Sequence, residues 1–414
     1  MEKAFHIENR RKLYAMLEPE SLLVLFAGTE IRKSADAYYP FYADRNFVYL
    51  TGIEQKQSVL LAQKNEDGTV AERLFLLPKD FMAERWTGKR LDSREAEAQS
   101  GIADIRDLET FRSCFHTLAM GGKYTKVYLD LHRQAPEDAD RQAHIFAHML
   151  QQQYPHIAVK SMNPYVRKLR TIKQPCEIAA LRQAEEITKA GILAMMRASR
   201  PGMYEYQYKA EFDRALGQFS PKEAGFASII SAGANNFCIH YDAYTGQAQD
   251  GDMVLNDVGA QFDNLITDVS RGWPCNGKFT QRQKQLYECA LATSNYLFSI
   301  IRPGMKMAEV DATIRRYNAQ RLVEAGVMKS PGEVGTYMWH GGAHHIGYDV
   351  HDAVETPEIL LPGMVFCVDV GIYHEEWGIG FRLEDNCLVT EDGCENLSGG
   401  IPRTIEEIEA VMCG

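Results

Sequence analysis

Four carboxylates in two pairs of apolar segments are the residues that most directly suggest chemistry. Asp257 and Asp268 lie in two apolar segments joined by a polar turn, and Asp369 and Glu384 lie in a second pair of the same kind. A bulge-free hairpin centred on each turn would place the two carboxylates of a pair opposite each other, with Cβ atoms about 5 Å apart. We therefore expect two facing carboxylate pairs.

Such pairs require compensation, because burying a charge is costly unless the charge is paired or binds a metal. Arg271 or Arg382 could neutralise one carboxylate, which is the purely structural alternative. Four carboxylates exceed what two arginines can neutralise, so the pattern favours a metal site. Oxygen-rich ligand sets favour hard or borderline ions such as Mn²⁺ over a zinc site built from thiolates.

A histidine-rich segment, residues 339–352, lies between the two acidic pairs. It contains four of the chain's twelve histidines, namely His340, His344, His345 and His351. Its glycines allow close approach of the backbone. One of these histidines could complete a dinuclear metal site, and the others could bind substrate or move protons.

The residues before about 165 alternate between apolar runs and helical patterns, which is typical of an α/β domain. The predicted strands lie in 21–28, 58–62 and 74–78, and the predicted helices in 93–100 and 141–153. A basic stretch at 167–173 then precedes Gln174 and Pro175. We interpret this stretch as a solvated linker between two domains.

The second domain contains a diverged internal repeat. The sequence Arg-Pro-Gly-Met occurs at 200–203 and again at 302–305, each time between two helical patterns. His240 and His340 follow the two copies at similar distances, and each half ends in two strand-like segments that carry acidic residues. Such a duplication predicts one site on a pseudo-twofold axis.

These motifs resemble those of the pita-bread metallopeptidases, which include methionine aminopeptidase, prolidase and aminopeptidase P. The resemblance is carried by residues 255–268, 340–352 and 380–385 and, in the first domain, by 36–41, 46–52 and 84–90. The first-domain segments are similar to those of aminopeptidase P and long prolidases. The resemblance implies an α/β N-terminal domain at 1–170 and an α+β pita-bread catalytic domain, with the pseudo-twofold repeat, at 171–414.

The resemblance also implies roles for individual residues. The positions of the five metal ligands are Asp257, Asp268, His344, Asp369 and Glu384. His240, His340 and His351 fall at positions that line the substrate and steady the reacting carbonyl. Tyr373 and Arg382 match a hydrogen-bonding pair beside the metals. The implied catalytic residues are His240, His351, Asp369 and Arg382. In the family, a hydroxide held between two metals attacks the peptide bond before proline.

This chain departs from the family pattern at one ligand position. The family usually has Glu followed by Pro where this chain has Asp369 and Val370. The loss of one methylene shortens the side chain by about 1.5 Å, and a shift of the strand would restore ligation. Cys367 faces the same side as Asp369 by strand alternation. It could be a soft extra ligand or a small core residue.

The predicted function is that of an Xaa-Pro aminopeptidase, which acts on peptides with proline at the second position. The predicted cofactors are two divalent ions, with Mn²⁺ as the leading candidate and Co²⁺, Zn²⁺ or Fe²⁺ as alternatives. Prolidase, which cleaves only Xaa-Pro dipeptides, is the main competing function. A creatinase-like amidinohydrolase and a non-catalytic binding module are two others, and both are disfavoured because a carboxylate is retained at every acidic ligand position.

Composition limits the partners and the compartment. A net charge of -11 and a pI near 5.6 argue against a nucleic-acid partner. The N-terminus has no long apolar segment, so we expect neither a signal peptide nor a membrane partner. Nine scattered cysteines are typical of a reduced, cytoplasmic protein. The resemblance suggests a homodimer or homotetramer.

Overall fold

The apolar runs of the N-terminal part form a sheet flanked by helices. The computed structural model describes residues 1–220, 222–355 and 358–413, and it divides into two compact units, Met1–Leu169 and Arg170–Gly414. The strands of the first unit are β1 Ser21–Phe26, β2 Arg32–Ser34, β3 Ala37–Tyr38, β4 Val59–Lys64, β5 Val70–Leu76, β6 Ile105–Asp107, β7 Lys126–Leu129 and β8 Ala158–Ser161. Its helices are α1 Lys3–Met16, α2 Arg45–Thr51, α3 Phe81–Thr87, α4 Ser93–Ser100, α5 Phe111–Met120 and α6 Gln142–Gln153, and α7 Asn163–Thr171 spans the boundary.

The sheet of the first unit is mixed. Its six strands run in the order β6-β5-β4-β1-β7-β8, and β1 pairs antiparallel with β4 and parallel with β7. The predicted strands at 21–28, 58–62 and 74–78 correspond to β1, β4 and the end of β5, and the predicted helices correspond to α4 and α6. The α/β prediction for this part of the chain is therefore confirmed.

The second unit packs helices against antiparallel strands. Its helices are α8 Pro175–Ala198, α9 Glu205–Leu216, α10 Gln281–Ile300, α11 Met307–Glu324 and α12 Ile405–Cys413. Its strands are β9 Ile229–Ala232, β10 Met253–Val258, β11 Gln261–Phe262, β12 Leu265–Ile266, β13 Val269–Pro274, β14 Val365–His374, β15 Ile379–Val389 and β16 Cys394–Asn396. Every residue of β14 and β15 is buried, so a charged side chain there needs a partner.

The internal repeat is visible in matching backbone contacts. In each half, two helices precede a strand pair: α8 and α9 precede β10 and β13, and α10 and α11 precede β14 and β15. The amide of Gly202 donates to the carbonyl of Ala248 at 2.7 Å, and the amide of Gly304 donates to that of Leu360 at 2.9 Å. The two Pro-Gly turns are therefore equivalent positions in the two halves.

The first hairpin has a different register from the one predicted. Asp257 pairs with Ser270 and not with Asp268, because the two-residue turn lies at Asp263 and Asn264, which both have positive φ, +48° and +68°. Such a turn matches the twist of the flanking strands, and it lies one residue beyond the midpoint of the two aspartates. The same register brings Gly259 opposite Asp268. A Cβ on Gly259 would lie 1.7 Å from the carbonyl oxygen of Thr267, so this position requires glycine.

The second hairpin has the predicted register. Asp369 pairs directly with Glu384, in an antiparallel ladder that runs without interruption along β14 and β15. The prediction of a facing carboxylate pair is confirmed here and is wrong for the first hairpin. There the two aspartates are diagonal neighbours, and their carboxylates still interact.

The basic stretch at 167–173 is not the solvated linker that we expected. Part of it belongs to helix α7, and Arg170 and Lys173 are buried. Both cations pair with the buried carboxylate of Asp352. The energetic reason is that a buried opposite charge replaces water around each cation. Among the described residues, no helix is both long and apolar enough to cross a membrane.

Candidate metal centre

Two strand pairs and the histidine segment bring their ligand-type atoms to one place. His344 Nε2 lies 3.5 Å from Asp268 Oδ2 and 3.9 Å from Glu384 Oε1. One ligand atom each from Asp268, His344, Glu384 and Cys367 lies within 4.8 Å of all the others. The site is therefore assembled from β14, β15, the residue immediately before β13 and the segment before β14.

Negative charge dominates this cluster. Burial, and then the neighbouring carboxylates, raise the pKa values of Asp268 and Glu384 well above the usual range. Of the four predicted acidic ligands, only Asp257 forms an ion pair with an arginine among the described residues. Its partner is Arg382, at 2.9 Å. Arg271 pairs instead with Asp385. The arginines therefore leave most of the charge without a counterion.

Unsatisfied oxygens show that the residues fit bound cations. One oxygen each of Asp257, Asp268 and Asp369 is buried and accepts no hydrogen bond from the described part of the chain. Buried acceptors of this kind are rare in folded proteins unless an ion or water satisfies them. Oxygen ligands supplemented by one imidazole suit a divalent transition-metal ion. The buried oxygens without donors thus provide the ligand atoms that the predicted metal ions would need.

His344 has the protonation state of a ligand. Burial, and then the charge of His351, lower its pKa to about 4, so the imidazole is neutral at pH 7. Its Nδ1 lies 3.3 Å from the carbonyl oxygen of His345. Donation of the Nδ1 hydrogen to that oxygen leaves the Nε2 lone pair directed at the carboxylates.

A hydrogen-bonded chain runs along one side of the cluster. Arg382 contacts Asp257 through Nη2 and donates through Nη1 to the Tyr373 hydroxyl at 3.0 Å. That hydroxyl lies 2.9 Å from His340 Nε2. His340 Nδ1 lies 2.8 Å from the carbonyl oxygen of Gly341 and 3.2 Å, an ion-pair distance, from Asp369 Oδ2. The chain links two predicted ligands, Asp257 and Asp369, through three side chains that hold their orientation.

The two remaining predicted histidines lie at the edge of the cluster. The His351 ring stacks on the His344 ring at a centroid distance of 3.9 Å. Burial, and then the charge of His240, lower the pKa of His351. His240 itself is exposed. The structure therefore brings His351 against the ligand atom of His344 and leaves His240 exposed.

Three neighbours of the site were not found from the sequence. Ser270 Oγ donates to Glu384 Oε2 at 2.8 Å, Asn386 binds the backbone of Asp268 through both of its amide atoms, and Trp339 stacks on Tyr373 at 4.6 Å. Ser270 and Asn386 each lie two positions after a predicted ligand. Strand alternation, which places such residues on the same face, was the available signal for both.

A carboxylate-rich cluster that includes one histidine, built on a duplicated helix-and-strand unit, is typical of metal-dependent hydrolases of the pita-bread class. Comparison with known proteins identifies the family within this class. Residues 179–391 match the model of metallopeptidase family M24, and residues 6–128 match that of the aminopeptidase P N-terminal domain. The chain belongs to metallopeptidase family M24. Its architecture of an aminopeptidase P-type N-terminal domain followed by a pita-bread domain agrees with the fold prediction.

Similar proteins match over almost the whole chain. An Xaa-Pro aminopeptidase of Haemophilus influenzae is 31% identical, with 98% of this chain and 96% of the relative covered. A Bacillus anthracis protein proposed to be an aminopeptidase P is 36% identical, with a TM-score of 0.97 over 100% of this chain and 99% of that one. Escherichia coli aminopeptidase P, solved with the inhibitor Pro-Leu, is 30% identical, with a TM-score of 0.91 and coverage of 100% and 98%.

Proposed function

We propose that this protein removes the N-terminal residue from peptides whose second residue is proline. The observation that carries the proposal is a cluster of buried carboxylates in a chain of the M24 family, in which one oxygen each of Asp257, Asp268 and Asp369 accepts no hydrogen bond from the described residues. We propose Asp257, Asp268, His344, Asp369 and Glu384 as the residues that hold two divalent ions. Bound there, the ions would polarise the peptide carbonyl and lower the pKa of a water nucleophile.

The protein side chains supply orientation and proton handling in this proposal. His351 and His240, at the edge of the cluster, donate hydrogen bonds to the carbonyl oxygen as negative charge develops on it. His340 bridges the Tyr373 hydroxyl and the Asp369 carboxylate, so it fixes the position of that carboxylate. Asp369 then accepts the proton of the attacking water and passes it to the departing amine. Arg382 balances the charge of Asp257.

The aminopeptidase is favoured over the prolidase because the proteins similar over the full chain are Xaa-Pro aminopeptidases. We further propose Mn²⁺ as the physiological ion, with Co²⁺, Zn²⁺ and Fe²⁺ as alternatives, since oxygen ligands predominate. The Escherichia coli enzyme has also been solved in a zinc-substituted form with product. We also propose that the protein is cytoplasmic and forms a homodimer or homotetramer. The proposed domain boundary is at residue 170.

The direct test combines metal analysis with two substrates. Protein stripped with a chelator and reloaded with Mn²⁺ is offered an Xaa-Pro-Xaa tripeptide and an Xaa-Pro dipeptide. We expect about two ions per chain and cleavage of the tripeptide before proline, with no cleavage by the stripped protein. Cleavage of the dipeptide alone would show a prolidase. Absence of both metal and cleavage after loading would contradict a peptidase function.

Replacement of Tyr373 by Phe tests the hydrogen-bonded chain. The variant loses the hydroxyl that joins Arg382 to His340 while keeping the aromatic ring. We expect kcat for the tripeptide to fall about 10- to 100-fold, the range typical of groups that orient metal ligands. Metal content, measured by mass spectrometry, should remain. Tyr287→Phe, another buried tyrosine whose hydroxyl binds a backbone carbonyl, is the matched control and should keep wild-type kcat.

A further inference from the structure

The thiol of Cys367 lies inside the cluster of predicted metal ligands. Cys367 is fully buried on β14, two positions before Asp369 and on the same face of the strand. Its Sγ lies 3.8 Å from Asp268 Oδ2. An oxygen of the Glu384 carboxylate lies within 4.8 Å of the sulfur. The sulfur therefore occupies the space between two carboxylates that are proposed to hold metal.

The backbone fixes this position. The amide of Cys367 donates to the carbonyl oxygen of His344 at 2.8 Å, which ties the cysteine to the histidine ligand. The side-chain amide of Asn386 lies 3.7 Å from the sulfur and can donate to it. Burial and the neighbouring carboxylates raise the pKa of the thiol well above its usual value, so a negative charge on the sulfur requires a cation beside it. A cysteine that served only as a small hydrophobic residue would gain nothing from these polar neighbours.

The sulfur, and not Asp369, completes the closest group of ligand atoms. Asp268, His344, Glu384 and Cys367 each offer an atom to the group, in which all atoms lie within 4.8 Å of one another. One oxygen of the Asp369 carboxylate, Oδ2, lies 3.2 Å from His340 Nδ1. The sulfur therefore belongs to the compact group formed with the histidine and the two carboxylates, of which Asp369 is not a member.

We propose that Cys367 Sγ is a ligand of one of the two metal ions, and that this ion is bound more tightly when it is Zn²⁺ or Co²⁺ than when it is Mn²⁺. The inference rests on the proposed metal centre and specifies its ligands. The thiol releases its proton to solvent as sulfur binds the ion. A thiolate is a soft ligand, which favours Co²⁺ and Zn²⁺ over the harder Mn²⁺.

The test uses Co²⁺ as a spectroscopic probe. The stripped full-length protein is titrated with Co²⁺ while the near-ultraviolet spectrum and the bound metal are recorded. We expect a thiolate-to-cobalt charge-transfer band in the wild-type protein and in the Cys387→Ala variant. Cys387 is equally buried in the same sheet, at a register position opposite Phe366, so its side chain lies on the other face. Cys367→Ala and Cys367→Ser should bind Co²⁺ without this band.

Competition between ions gives a second measurement. The preference of the wild-type protein for Zn²⁺ over Mn²⁺ should fall about tenfold or more in the two Cys367 variants and stay unchanged in Cys387→Ala. Circular dichroism establishes that the variants are folded. If the wild-type protein binds Co²⁺ and cleaves the tripeptide but shows no charge-transfer band, the sulfur is not a ligand and the proposed peptidase function stands. If no metal binds, both proposals are wrong.

Discussion

Glu384→Gln is expected to lower Xaa-Pro hydrolysis by about a thousandfold or more, because bound metal contributes several kcal/mol to catalysis. Glutamine keeps the shape of the side chain and its contact with Ser270 but is a poor metal ligand. Burial and the neighbouring Asp369 and Asp257 raise the pKa of Glu384 well above the usual range. Glutamine is neutral at every pH and avoids both the burial of a charge and repulsion by the neighbouring carboxylates, so the metal-free variant should be at least as stable as the metal-free wild-type protein at pH 7. Tripeptide kinetics measure the loss of activity, metal analysis measures the bound ions, and urea unfolding measures the stability of the metal-free proteins.

Asp385→Asn is the matched comparison, because the adjacent carboxylate is equally buried but has different partners. Asp385 pairs with Arg271 at 2.7 Å and with Arg403 at 2.8 Å. Its removal leaves two cations without their counterion, and we expect a loss of about 3–5 kcal/mol in the free energy of unfolding. The folded fraction should still bind metal. An equal loss of stability in Glu384→Gln and Asp385→Asn would contradict the assignment of Glu384 to a metal.

Residue types and spacing were sufficient for the second acidic pair because its hairpin has no irregularity. Asp369 and Glu384 face each other, as the midpoint of the turn predicts. In the first hairpin, the positive φ values of Asp263 and Asn264 set the register, and the strands are interrupted next to Gly259. Asp and Asn side by side are a recognised signal for this turn. The turn residues were therefore better evidence of register than the position of the midpoint.

The burial of the basic stretch could not be predicted from the sequence, because its counterion is distant in the chain. Arg170 and Lys173 are typical surface residues, and their counterion, Asp352, lies far along the chain. No local pattern connects them. The position of Cys367 shows the opposite case, since strand alternation alone placed its side chain beside Asp369. What the sequence lacked there was the distance between the sulfur and the other ligand atoms.

The buried pair of cations around Asp352 leads to a second prediction with a large expected effect on stability. Asp352 follows His351 in the chain and forms ion pairs with both Arg170 and Lys173. The side chains of Asp352 and of the two cations are at most 1% exposed. Asp352→Asn removes the carboxylate that both buried cations share, so we expect the free energy of unfolding at pH 7 to fall by about 3–5 kcal/mol. Asp349→Asn removes a half-exposed partner of the same arginine and should cost at most about 1 kcal/mol. Similar losses for the two variants would show that Asp352 does not stabilise this segment through its charge.

The pH dependence gives this prediction a definite sign. Burial alone would raise the pKa of Asp352, but the charges of Arg170 and Lys173 hold it below its usual value. A carboxylate with a lowered pKa in the folded state stabilises the protein fully above its unfolded pKa of about 3.9 and progressively less as the pH falls below it. The stability gap between the wild-type protein and Asp352→Asn should therefore be constant near neutral pH and narrow below about pH 4. Urea unfolding of the metal-free proteins at several pH values measures the gap, and a gap that widened in acid would contradict the ion pair as its cause.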